Sequence, residues 1–106
     1  MSLMSCSRND VVLLPIPFAD LTSRKVRPAV VIGRSGSDLF LVPISSVLPN
    51  TDFALTEWKA AGLNVACGIK AQIATVEERL VVKTVGSLMV SDREILDQRL
   101  RAWLQI

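Results

Sequence analysis

Histidine and tyrosine are absent from this 106-residue chain. Without imidazole, histidine-based acid–base chemistry, histidine-centred triads and nearly all zinc sites are excluded. Any catalysis falls to Arg, Lys, Asp, Glu, Ser, Thr, Cys or the backbone. Cysteine is scarce as well: Cys6 and Cys67 stand alone, with no CxxC pair. That usage reads as two free thiols in a reducing cytoplasm, not a disulfide framework. No run approaches the ~18 apolar residues of a membrane span. The N-terminus lacks the apolar stretch of a secretory signal. Met1-Ser2-Leu3, ahead of a second methionine, reads as a leader, and residues 1–8 are expected to be disordered. The whole of 1–106 is read as one domain.

A net charge of only +2 gives no global basic field. The distribution says more. Between positions 21 and 37 lie Arg24, Lys25, Arg27 and Arg34 with no acid among them. A solvated hairpin shows the same pattern, yet a local cationic cluster also favours a polyanionic partner. Half of the residues are apolar, enough for a core, and a domain of this size buries well over ~60% of its unfolded surface.

The apolar runs at 11–16, 28–33 and 39–44 are short, β-branched and bounded by Gly, Pro, Ser and Asp, which predicts strands. The breaker-rich stretch 34–38 joins the last two as a hairpin. Arg27-Pro28 marks the entry to the second strand: the residue before proline is held extended, and proline is tolerated at a strand's first residue. Arg27 is therefore a preset cation at a strand mouth. Residues 48–56 read as loop with a short strand, and 57–62 as one helical turn capped by Thr56 and stopped by Gly62. A weakly alternating strand is predicted over 65–73, with Gly68 as a bulge or close approach. Residues 74–78 read as loop or helical turn, and 80–85 as a strand ended by Gly86. A helix over 91–104 takes Ser91 as N-cap and Glu94 as its capping-box partner. Many short strands followed by one amphipathic helix predict a mainly β fold, a small barrel.

Residues 10–21 (DVVLLPIPFADL) followed by 27–32 (RPAVVI) resemble the opening of the PemK/MazF family of bacterial toxins. The stretch 39–46 (LFLVPISS), the AGL step at 61–63, IATVE at 73–77 and VGSL at 85–88 continue that pattern in order, across residues 9–104. The resemblance implies an SH3-like barrel with a C-terminal helix, as in CcdB, Kid and MazF. It implies a cytoplasmic homodimer and a type II toxin neutralised by a cognate antitoxin. The implied activity is cleavage of single-stranded RNA without metal or cofactor, through attack by a 2′-hydroxyl that leaves a 2′,3′-cyclic phosphate. CcdB shares the fold and acts on DNA gyrase, so fold alone does not settle activity.

Carried over residue by residue, Arg27 matches the family's arginine before proline. Its planar, permanently charged guanidinium suits two phosphate oxygens; pairing with Asp20 is the structural alternative. Ser45 stands where the family usually has threonine, so a hydroxyl is retained and a methyl lost; a strand-end serine closing a turn is the alternative. Ser46 matches a neighbouring polar position. Phe18, Asp20, Arg24, Lys25 and Lys70 are further candidates for substrate contact. Phe18 and Trp58 offer stacking surfaces, Asp20 offers a substitute acid, and Trp103 is assigned to packing. The chain departs from the family at Ala71 and Ile69, where members carry an acid and, in some, an arginine. Strand alternation is expected to turn the adjacent Lys70 and Gln72 to the other face unless Gly68 forms a bulge. A catalytically weakened module that binds RNA, antitoxin or gyrase is the alternative reading.

Overall fold

Three strands buried on both faces organise the molecule, a computed structural model that describes residues 5–15 and 25–106. They are β1 (Asp10–Pro15), β2 (Val26–Ser35) and β3 (Asp38–Ser45). Val11, Val30, Val42 and Ile44 face one cluster with Leu55, Ala61, Ile69, Leu88, Leu96 and Leu100. Val12, Leu14, Ala29, Val31, Leu39 and Leu41 face a second with Cys6 and Val76. Burial on both sides is why these strands are continuous apolar runs without polar alternation. Each fully buried Val or Leu contributes about 1.5–3 kcal/mol.

The remaining strands are β4 (Phe53–Ala54), β5 (Gly68–Ile69), β6 (Ala74–Glu77) and β7 (Lys83–Ser87), followed by helix α1 (Val90–Leu104). The seven strands form an antiparallel sheet in the order β4-β5-β3-β2-β1-β7, with β6 also paired to β3. The fold is thus mainly β with a C-terminal helix, as expected. The β2–β3 hairpin closes at Ser35 opposite Asp38, with Gly36 at φ +58°. Strand β3 divides its outer edge between two partners: residues 38–41 pair with β6, and Ile44 and Ser45 pair with β5.

Several local expectations are corrected. Residues 74–78 carry β6, not a loop or helical turn, because Val76 reaches the second cluster opposite Leu39. Glu78–Leu80 is a 3-10 turn, and the last strand starts only at Lys83 and runs through Gly86 to Ser87. Leu80 and Val81 pack against the second cluster, so their apolar character reflects burial, not pairing. The predicted strand over 65–73 shrinks to Gly68–Ile69. The turn at 57–62 ends as predicted at Gly62, whose φ is +97°. Leu63 N–H donates to Trp58 O and Gly62 N–H to Lys59 O, both 3.1 Å, the paired bonds of a Schellman ending. This turn lies backbone-to-backbone on β7: a Cβ at Gly86 would stand 2.2 Å from Ala61 O.

Helix α1 starts one residue earlier than expected, with Met89 as N-cap and no side-chain capping bond. Ser91 is therefore not the cap. The first-turn polar group that matters is Asp92, which is fully buried. Its carboxylate accepts from Thr56 N–H (3.0 Å), Thr56 Oγ1 (2.9 Å) and Glu57 N–H (3.0 Å). Asp92 thereby fastens the helix to the start of the 57–62 turn. Replacing it with asparagine weakens three charge-assisted bonds and should cost about 1.5–3 kcal/mol, read as a shift in urea midpoint without change in m-value.

Residues 5–8, read as part of a leader, are tied into the fold. Cys6 is buried, and its N–H donates to Glu78 Oε2 at 2.8 Å. Arg34 grips both Glu78 oxygens, at 2.8 and 3.0 Å, and also donates to Ser5 Oγ and Cys6 O. The Arg34 guanidinium and the Cys6 amide together hold the Glu78 carboxyl down at about 2. A depressed carboxyl stabilises the fold above its usual value near 4.5 and loses that contribution as pH falls toward 2. The Tm gap between wild type and Glu78→Gln should accordingly be constant above pH 5 and close progressively below pH 4.5. A gap that persists unchanged to pH 2 would rule out this linkage.

Candidate functional site

Arg27 is the second residue of β2 and pairs with Leu14 of β1. It lies just inside the strand, where its backbone is fixed by the ladder. Leu14 and Ala29 belong to the second cluster, so alternation places the Arg27 side chain on that same face, beyond the cluster's edge. The residue is exposed and makes no ion pair with any described residue.

Ser45 is the last residue of β3 and is half-buried. Pairing of β2 with β3 ends at Ala29 opposite Pro43, and Arg27 and Ser45 each lie two residues beyond that last pair. Facing residues of an antiparallel pair project to one side. Arg27 and Ser45 therefore share the Ala29–Pro43 face, at the same end of neighbouring strands. Ser45 Oγ accepts the Val47 N–H at 3.1 Å, the turn-closing bond expected of a strand-end serine, and its own hydrogen stays available to donate outward. Ser46 is exposed next to it.

The third strand of this row is β5. Gly68 pairs with Ser45 and Ile69 with Ile44. Ile69 is fully buried in the first cluster, so the position where some family members carry arginine is core here. Lys70 follows, its N–H donating to Pro43 O at 3.0 Å. Alternation turns Lys70 to the face opposite Ile69, as expected, and that face is the one Ser45 occupies: Lys70 lies across from Pro43, and Pro43 shares its face with Ser45. The chain then bends, Gln72 N–H donating to Lys70 O at 2.8 Å, and Ala71 is exposed beyond the strand. Gly68 makes a close approach, as expected. A Cβ there would lie 2.5 Å from Phe53 O and 2.7 Å from Thr51 Oγ1, and Thr51 in turn donates to Leu48 O at 2.6 Å. The glycine is legible in the sequence; Phe53 and Thr51, the neighbours that require it, are not.

Lys25 is exposed at the approach to β2. Phe18, Asp20 and Arg24 lie outside the described residues. Arg34 leaves the cationic cluster because Glu78 engages it at the far end of β2. Trp58 and Trp103 are partly buried and pack against the first cluster, so Trp58 serves the core and Trp103 fills the packing role expected of it. Two clefts, of about 440 and 220 Å3, lie beside α1, both lined by the Arg8–Asp97 pair; neither includes Arg27, Ser45 or Lys70. Among the described residues no three Cys, Asp or Glu side chains converge as a metal ion would need, and no helix is long and apolar enough to cross a membrane.

No family model matches the sequence, and no curated protein does. Among solved structures, the fold matches an endoribonuclease in complex with its cognate antitoxin from a mycobacterial species. The match has a TM-score of 0.68 and covers 93% of this chain and 92% of that one, at 15% identity. Likeness at that identity establishes the fold, and it is consistent with the PemK/MazF resemblance read from residues 9–104.

Proposed function

We propose that this chain is the toxin of a toxin–antitoxin pair and cleaves single-stranded RNA without a metal ion. One observation carries the reading. Among the described residues Arg27 is the one arginine without a partner. Arg8, Arg34, Arg79, Arg99 and Arg101 are in ion pairs, and Arg93 donates to Leu88 O. A lone guanidinium on a rigid strand, with a hydroxyl on the same face at the same end of the next strand, suits a phosphodiester. A merely structural arginine would be engaged like the other six.

In the proposed reaction the RNA 2′-hydroxyl attacks phosphorus in line with the departing 5′-oxygen. Arg27 grips the non-bridging oxygens, where negative charge grows. Ser45 donates its hydroxyl hydrogen to one of them; already accepting from Val47 N–H, it is poorly placed to take a proton. Ser46 and Lys25 extend the contact along the strand backbone of the RNA. The similar endoribonuclease was solved with its cognate antitoxin, and a cognate antitoxin is the protein partner proposed here. The resemblance supports a cytoplasmic homodimer as the working form.

The test is to incubate purified protein with mixed RNA, with and without chelator, and to map the new ends. Cleavage that persists in chelator and leaves 2′,3′-cyclic phosphates is expected. No cleavage, or cleavage abolished by chelator, overturns the reading. The exposed Ala71, where family members carry an acid, favours a second reading, a binder that does not cut. Tight retention of RNA with no new ends would select it, and loss of supercoiling activity would point to gyrase instead.

A further inference from the structure

We infer that Lys70 is a catalytic residue that delivers the proton to the departing 5′-oxygen. The inference rests on the nuclease reading above and fills a role that reading leaves vacant. Lys70 sits across β3's outer edge from Pro43, and its N–H is fixed to Pro43 O at 3.0 Å. Ile69 projects into the first cluster, so the next residue projects to the opposite face, the one shared by Pro43, Ser45, Ala29 and Arg27. Ser45 and Lys70 are diagonal neighbours, with Cβ atoms about 7–8 Å apart, within reach of a long side chain. Arg27 and Lys70 flank Ser45 from two different strands, roughly 10 Å apart across the sheet. That separation lets one cation hold the phosphate while the other meets its leaving group.

Lys70 is half-buried and forms no ion pair among the described residues, so its ammonium is uncommitted. The other described groups near this face do not suit the step. A guanidinium does not release its proton in proteins, which removes Arg27. Asp52, the described carboxylate whose N–H donates to Ile69 O of β5 at 2.7 Å, is bound to Arg99 at 3.0 Å. A serine hydroxyl giving up its proton would leave an alkoxide.

The step balances as follows. The 2′-oxygen forms its bond to phosphorus as the bond from phosphorus to the 5′-oxygen breaks. The 5′-oxygen takes a proton from Nζ, leaving a neutral amine that solvent water reprotonates. The 2′-hydroxyl proton passes to water, and no other reactant is consumed.

The test uses two oligonucleotides, a natural RNA and the same sequence with a bridging 5′-sulfur at the cleaved linkage. A thiolate leaves without a proton. Lys70→Ala should lower kcat on the natural RNA about 100-fold or more and cut the sulfur substrate at nearly the wild-type rate. Lys70→Arg keeps the charge and should hold KM near wild type while sharing the kcat loss. Arg27→Ala should be impaired on both substrates. Equal losses on the two substrates for Lys70→Ala, or full activity of either Lys70 variant on natural RNA, overturn the assignment while the nuclease reading stands. A wild-type protein that cuts neither substrate overturns both.

Discussion

Arg27→Ala is expected to reduce kcat for RNA cleavage by about 100- to 1,000-fold and to leave stability unchanged within ~0.5 kcal/mol. The two halves of that expectation have one source. The side chain is exposed and bonded to no described residue, so the folded state gains nothing from it. In the proposed reaction the guanidinium acts only on charge that develops at phosphorus. Lysine in its place keeps the charge and loses the planar fork, so Arg27→Lys should fall between alanine and wild type. Single-turnover cleavage and thermal melts on the same preparations make the check. Normal cleavage by the alanine variant, or a large drop in its Tm, would remove Arg27 from the chemistry.

Gly86→Ala should be among the most destabilising small substitutions in the described chain. The added methyl would stand 2.2 Å from Ala61 O and 2.8 Å from Ala61 C. Both are backbone atoms, so no side-chain tip can swing aside. Overpacking usually costs 1–3 kcal/mol. Here the 57–62 turn must lift off β7 and expose Ala61 and Leu88 of the first cluster, so a loss of roughly 3 kcal/mol or more is expected, a Tm drop on the order of 15 °C. Gly62 meets β7 from the other side, its Cβ position 2.3 Å from Val85 O. The double variant should therefore lose less than the two single losses added, since both open one contact. Gly36→Ala is the contrast. Nothing lies within 4 Å of its Cβ position, and the positive φ alone should cost about 1–2 kcal/mol. Similar melts for Gly86→Ala and Gly36→Ala would refute the close-contact account.

Sequence reading recovered the elements whose burial is written in their composition. Strands β1, β2 and β3 are legible because residues such as Val11, Val12, Val30 and Val31 are buried on alternate faces and leave no polar gap. Helix α1 is legible from its stripe, Leu96 and Leu100 with Ile95 and Trp103 beside them. Short elements were not. In β6 only Val76 turns inward among four residues, too little to separate a strand from a loop. Leu80 to Val85 reads as one strand, and Lys83 to Val85 do join β7, but Leu80 and Val81 pack against the second cluster without joining a ladder. The capping box failed because Asp92 found partners in Thr56 and Glu57, 35 or more positions away.

The candidate site was legible in part for the same reason. Arg27 and Ser45 come from the two longest strands, and each lies two residues past the last pair of one hairpin ladder. Alternation puts Lys70 opposite Ile69 as expected, but which face of that stretch meets Ser45 is not written in its own residues. It is set by β3: Ile44 pairs with Ile69 and pulls it into the core, which decides where the next side chain goes.

Pro43 decides where β5 must stop. In an antiparallel ladder, facing residues of a hydrogen-bonded pair exchange two bonds. Pro43 accepts from Lys70 N–H and, as an imino acid, has nothing to return. The Lys70 carbonyl is released from the ladder and takes the Gln72 amide instead, so the chain swings outward one residue past the core. A single missing hydrogen on one strand thus ends its neighbour and leaves an amine standing at the rim, where a longer ladder would have carried it inward along the sheet.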